Sequence, residues 1–137
     1  MKKGGFTING LDHVAIRVED LERSALWYEE VLGLKQYQLE AWGEYPIFMM
    51  AGKSGVALFP KNEDDHRQVW GSPSVDHFAF NVDKEAFHQA ILLYKDLQIK
   101  YTIKDHTYFK SVYVRDPDQH IVELTTIMVP EETFYKA

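Results

Sequence analysis

Two histidines and one glutamate carry the most specific chemistry in this sequence of 137 residues. "LDHVAIRVED" begins at Leu11 and "VDHFAFNVDK" at Val75, and in them Asp12/Asp76, His13/His77, Ala15/Ala79 and Val18/Val82 coincide. Both stretches alternate with period two, so each histidine lies on the face opposite Val14, Ile16 and Val18 or Phe78, Phe80 and Val82. Near the end of the chain "HIVELTT" puts Glu123 on one face and Val122 and Leu124 on the other. A carboxylate in mid-strand on an inward face needs a partner. Two imidazoles and a carboxylate are the ligand set of the 2-His-1-carboxylate facial triad, which leaves positions on a divalent metal open for water, substrate or dioxygen. The alternative is three unrelated polar residues, each satisfied locally; the coincidence of the histidines across a repeat favours the metal site. Cysteine is absent, which excludes thiolate ligands, a disulfide framework and a cysteine nucleophile.

These residues must be held by the elements that the same patterns predict. After each histidine strand the period becomes helical. Asp20 is placed to cap a helix with apolar positions Leu21, Ala25, Tyr28 and Leu32, stopped by Gly33; Asp83 is placed to cap a second with Phe87, Ala90, Ile91, Tyr94 and Leu97. Three further strands are predicted after each helix: Lys35 to Trp42, Tyr45 to Ala51 and Gly55 to Pro60, then Lys100 to Lys104, Ser111 to Arg115 and His120 to Ile127. Each half therefore reads βαβββ. The expected fold is α+β: two such modules forming a curved mixed-sheet cup with the helices outside. Module one runs over about 8–60, a polar connection over 61–74, module two over 75–127 and a tail over 128–137, all in a single domain. Aligning "GVALFPK" with "HIVELTT" sets Ala57 opposite Glu123, so the first module lacks a carboxylate and the site should have three protein ligands.

Lys and Arg total 15 against 21 Asp and Glu, a formal charge of −6, and no basic stripe is present. Nucleic-acid and anionic-membrane partners are therefore not expected. The first ten residues hold no apolar run of the signal-peptide kind, and no stretch reaches the roughly 18–20 apolar residues of a membrane span. A cytoplasmic protein is the expectation, and the lack of cysteine fits it.

Over Leu11 to Thr126 the chain resembles the vicinal oxygen chelate superfamily, which groups glyoxalase I, fosfomycin-resistance proteins, bleomycin-resistance proteins and type I extradiol dioxygenases. The segments that carry the resemblance are "LDHVAIRVEDLERSALWYEEVLGL", "VDHFAFNVD" and "SVYVRDPDQHIVELTT". The last is similar to the family's Asp-Pro-Asp-Gly turn before a ligating Glu, with Gln119 in place of Gly and therefore expected in a left-handed conformation. The family's ligand positions fall on His13, His77 and Glu123. Glyoxalase I usually has a fourth ligand where Ala57 stands, and bleomycin-resistance binders lack the triad.

Two branches then compete. Extradiol enzymes resemble this chain further in His106, Val112, Tyr113, Asp116 and Pro117 ahead of Glu123, and His66 resembles their acid/base histidine. Catalytic roles for His66, His106 and Tyr113 follow from that likeness; the plainer alternatives are surface histidines and a tyrosine that only hydrogen-bonds. Fosfomycin-resistance proteins share the His, His, Glu set and a tyrosine matching Tyr113, and Lys104 or Lys110 would bind their phosphonate. The expected function is an Fe(II) ring-cleaving dioxygenase acting on a catechol-like small molecule. The alternatives are a Mn(II)- or Zn(II)-dependent lyase, isomerase or transferase of glyoxalase or fosfomycin-resistance type, or a non-catalytic binding module. Arg17, also inward, either anchors an anionic group or pairs with an acid. Phe59, Trp42, Trp70 and Phe109 form an aromatic wall or plain core. The paired modules that the resemblance implies, with Phe134 and Tyr135 in an aromatic tail, predict a homodimer.

Overall fold

Asp20 and Asp83 open the two long helices by the same device. In the computed structural model, which describes residues 5–62 and 73–135, Asp20 Oδ1 accepts from Arg23 N at 3.1 Å and Asp83 Oδ1 from Ala86 N at 2.7 Å. Each bond satisfies a backbone donor that the first helical turn leaves free. The elements run β1 His13–Val18, α1 Leu21–Leu32, β2 Lys35–Tyr37, β3 Ile47–Ala51 and β4 Ser54–Pro60 in the first module. In the second they are β5 Phe78–Asn81, α2 Lys84–Asp96, β6 Thr102–Asp105, β7 Phe109–Arg115 and β8 Ile121–Ile127, followed by a short α3, Glu131–Phe134. Gly33 ends α1 in the left-handed region (φ 67), returning its N–H to Glu29 O, a conformation that favours glycine.

The strands form two four-stranded mixed sheets, β1-β4-β3-β2 and β5-β8-β7-β6. In each, the first strand pairs parallel with the last and the remaining pairs are antiparallel. This is the α+β, twice-repeated βαβββ architecture expected from the repeat. The register makes the correspondence concrete: Ala15 faces Ala57 where Ala79 faces Glu123, and Phe48 faces Ala57 where Tyr113 faces Glu123. The other face of each sheet buries Ile16, Val18, Val56 and Leu58, or Val112, Val122 and Leu124, in one core with Ala25, Tyr28 and Val31 of α1 and Phe87 and Tyr94 of α2. A side chain such as Leu58, fully buried, contributes about 1.5–3 kcal/mol by leaving water.

Several expected strands start or stop inside their patterns, two of them for a visible reason. The stretch Lys35 to Trp42 is strand only to Tyr37, because Gln38 Nε2 donates to Glu44 O at 2.9 Å and Glu40–Trp42 tightens into a 3-10 turn ahead of Gly43 (φ 75). The strand expected from Lys100 begins at Thr102, because the N–H groups of Gln98 and Ile99 remain tied to Lys95 O and Tyr94 O at the end of α2. Gln119 has φ 72, the left-handed conformation expected where the family has glycine.

A polar seam fastens the modules together. Tyr28 Oη donates to Asp116 Oδ2 at 2.7 Å, Glu19 N to Asp118 Oδ1 at 3.1 Å, and Ser24 Oγ to Asp118 Oδ2 at 3.3 Å. The His120 ring adds a bond to Arg17 O at 2.9 Å. The start of α1 thus sits on the turn between β7 and β8, immediately before the strand that carries Glu123. Among the described residues no helix is long and apolar enough to cross a membrane.

Candidate metal centre

His77 precedes β5 and Glu123 lies in the middle of β8, which pairs with β5 in parallel. That pairing brings His77 Nε2 to 2.8 Å from Glu123 Oε1. The opposite ring nitrogen, Nδ1, lies 2.7 Å from Asp76 Oδ2. A carboxylate on Nδ1 fixes the tautomer and leaves Nε2 as the nitrogen available to a metal. The Asp76 hydrogen bond raises the His77 pKa above its ordinary value; partial burial acts the other way, and the charge of Glu123 adds to the rise. Glu123 itself is only 8% exposed, and its second oxygen, Oε2, accepts from Ser111 Oγ at 2.6 Å.

His13 repeats the arrangement in the first module, with Nδ1 2.7 Å from Asp12 Oδ2 and its ring against Phe48 at 5.2 Å between centroids. It does not join the other two: among the described residues no three His, Asp or Glu side chains converge as a metal site. Within one chain His77 therefore meets Glu123, while His13 lies beside Phe48. The donor set fits a divalent cation, since an imidazole nitrogen and a carboxylate oxygen already meet and both histidines are pinned through the nitrogen that a metal would not use. Ala57, fully buried at the place equivalent to Glu123, offers nothing to a metal.

Around His77 opens a cavity of about 650 Å³ whose lining includes Lys100, Lys104, Tyr113 and Arg115. Tyr113 stands between several of these groups. Its ring lies 5.8 Å from that of His77, Lys104 Nζ sits 5.4 Å above its face, and its hydroxyl lies 2.9 Å from His106 Nε2. Burial, and then the charge of Glu123, raises the Tyr113 pKa, so the phenol remains a proton donor. The structure thus brings together His106 and Tyr113. His66 and Trp70 lie outside the described residues.

The other candidates separate by strand face. Lys110, offered beside Lys104 as a phosphonate ligand, points the other way: its Nζ lies 5.9 Å over Phe87 of α2, on the helix side. Arg17 lies over Phe59 at 5.3 Å and donates to Pro60 O at 3.1 Å, and Trp42 leans on Phe48 at 5.2 Å. Phe48 and Trp42 make the surroundings of His13 aromatic, whereas the cavity at His77 is polar and cationic. Phe109 is covered instead by Phe134, 4.6 Å away and edge-on. Residue-type reasoning missed Ser111 and gave no role to Asp12 and Asp76. The repeat already pairs the two aspartates, and period two from Tyr113 places Ser111 on the Glu123 face.

Residues 10–124 match the model of a family described as the glyoxalase/bleomycin resistance protein/dioxygenase superfamily. Metallothiol transferase FosB of Staphylococcus epidermidis is 32% identical over 130 residues, which cover 87% of this chain and 82% of that protein. Glutathione transferase FosA of Serratia marcescens is 28% identical over 119 residues, 85% of this chain and 80% of that protein. Among solved structures, a glyoxalase/dioxygenase from Nostoc punctiforme superposes with a TM-score of 0.74 at 20% identity, over 94% of this chain and 98% of that one; the likeness is one of fold.

Proposed function

Because this chain belongs to the glyoxalase/bleomycin resistance protein/dioxygenase superfamily, we propose that it is a metal-dependent thiol transferase acting on a small anionic electrophile. The observation that carries the proposal is the meeting of His77 Nε2 and Glu123 Oε1 at 2.8 Å beside a cavity lined by Lys100, Lys104 and Arg115. The curated relatives named as metallothiol and glutathione transferases support this chemistry over ring cleavage. A divalent ion, Mn(II) or Zn(II), would be held by His77, Glu123 and a histidine in the place of His13. When bound, such an ion supplies Lewis-acid polarisation of a substrate oxygen.

The chain's own residues do the rest. Lys104 and Arg115 hold the anionic group of the substrate. With the Nε2 proton on His106, that ring donates to Tyr113 Oη and frees the phenol proton for the substrate oxygen. With a strained three-membered epoxide as electrophile, sulfur forms a C–S bond as the ring C–O bond breaks, the released oxygen takes the Tyr113 phenol proton, and the proton lost by the thiol restores the phenol. Since His13 stands apart from the other two ligands, His13 of a second copy completes the site in a homodimer that encloses the small molecule between an aromatic and a cationic wall.

The test is to incubate the Mn(II)-loaded protein with fosfomycin and either glutathione or cysteine, and to look for the adduct by mass spectrometry. Absence of any adduct with a panel of thiols and epoxide phosphonates counts against the transferase. A second reading has one observation of its own. The contact of His106 Nε2 with Tyr113 Oη at 2.9 Å is the pair that the extradiol likeness singles out, which favours an Fe(II) ring-cleaving dioxygenase. Dioxygen uptake with catechols by the Fe(II)-loaded protein would establish that reading in place of the first.

A further inference from the structure

We propose that Ser111 is a positioning residue for the metal centre: its hydroxyl holds Oε2 of Glu123, so that the carboxylate presents Oε1 alone beside His77. The inference rests on the metal-dependent reading above but concerns a residue outside the ligand set. Ser111 is fully buried in β7, and its Oγ lies 2.6 Å from Glu123 Oε2. The same Oγ lies 3.0 Å from Thr125 Oγ1. A serine hydroxyl has one proton. A carboxylate can only accept, so that proton goes to Glu123, and the second contact is one in which the Thr125 hydroxyl donates to Ser111. The result is a directed relay from Thr125 through Ser111 to Glu123, with the shortest bond at the charged end.

The relay is matched to the presence of the carboxylate. Ser111 faces Thr125 across β7 and β8, one step along from Val112 and Leu124. In the first module Ile47 faces Leu58, so the positions equivalent to Ser111 and Thr125 are Pro46 and Phe59. Where the sheet carries Ala57 in place of Glu123, both hydroxyls are absent as well. Two unrelated serine and threonine choices on adjacent strands thus accompany the one glutamate that needs them. A glutamate free at both oxygens samples several orientations, and outer hydrogen bonds of this kind commonly set how tightly a metal is held.

The experiment is a Mn(II) titration followed by electron paramagnetic resonance on the 137-residue chain, comparing wild type with Ser111→Ala, Ser111→Thr and Thr125→Val. The melting temperature of each metal-free protein is measured alongside. Ser111→Ala is expected to raise the Mn(II) dissociation constant roughly 10- to 100-fold and to change the line shape of the bound ion, while Ser111→Thr, which keeps the hydroxyl, binds like wild type. Thr125→Val is expected to weaken binding in the same direction by less, and it carries the test if Ser111→Ala does not fold. Wild-type affinity and line shape in both hydroxyl-deleted variants overturn the proposal, as does a folded Ser111→Thr that loses the metal as Ser111→Ala does. In either case a wild type that binds Mn(II) leaves the metal centre standing. A wild type that takes up no Mn(II) removes the metal centre and this role together.

Discussion

Tyr28 on α1 donates its hydroxyl to Asp116 Oδ2 at 2.7 Å, joining the helix of one module to the turn of the other. Burial first, and then the charge of Asp116, pushes the Tyr28 pKa far above its usual value, so the group is a donor at every working pH. The other oxygen, Asp116 Oδ1, accepts from Asp118 N and His120 N at 2.9 and 2.8 Å, which makes this carboxylate the hub of the seam. Tyr28→Phe leaves Oδ2 buried without its donor and should lower stability by about 1–3 kcal/mol. Urea denaturation checks it; an unchanged midpoint and slope would show that the seam contributes nothing.

Metal content should follow the donor set and not the repeat. His77→Ala and Glu123→Ala are expected to lose most bound Mn(II) or Zn(II), whereas Ala57→Gly, at the equivalent place in the first module, should retain it. Elemental analysis of dialysed protein decides. Full metal content in both His77→Ala and Glu123→Ala would remove these residues from the site.

A site shared between copies has a signature that a site within one chain lacks. His13→Ala and Glu123→Ala chains, each poor in metal alone, should recover about a quarter of the wild-type sites when refolded together in equal amounts, because half the dimers are mixed and each mixed dimer has one intact site. Light scattering should give a dimeric mass at micromolar concentration. No recovery on mixing, or a monomeric mass with full metal content, would place His13 elsewhere in the reaction.

The two candidate lysines should part company. Lys104→Ala is expected to raise KM for an anionic substrate roughly 10-fold or more, as loss of a charge-assisted contact does, with metal content unchanged. Lys110→Ala, whose ammonium lies over Phe87, should leave KM where it was. Steady-state kinetics on both variants separates the two faces of β7, and equal effects would contradict the assignment.

The pattern of residues made the fold legible because the information is local. Asp20, Gly33 and Asp83 announce the helix ends by chemistry confined to one turn, and the repeat pairs His13 with His77 and Ala57 with Glu123 without reference to any contact. What was not legible depends on distant partners. The strand from Lys35 ends early because the Gln38 side chain reaches the carbonyl of Glu44, a competition that periodicity does not register. The distance of His13 from Glu123 depends on how the modules dock, through Tyr28, Asp116, Asp118 and His120; the turn at Asp116 is recognisable in the sequence, but its partners on α1 are not. Ser111 and Lys110 are an intermediate case. Once Tyr113 is set inward, alternation alone turns Ser111 toward Glu123 and Lys110 toward the helix.

The seam has a further consequence for how the molecule could be assembled from parts. Every contact described for it, from Glu19, Ser24 and Tyr28 on one side to Asp116, Asp118 and His120 on the other, involves residues outside positions 63–72. A nick within 63–72 would sever the backbone and leave each of those bonds intact. The halves would then behave as complementary fragments that recognise each other through buried hydroxyl–carboxylate pairs, separately mute and competent when co-expressed. A fold written twice in one gene would, in that sense, be a heterodimer whose two partners happen to be translated together.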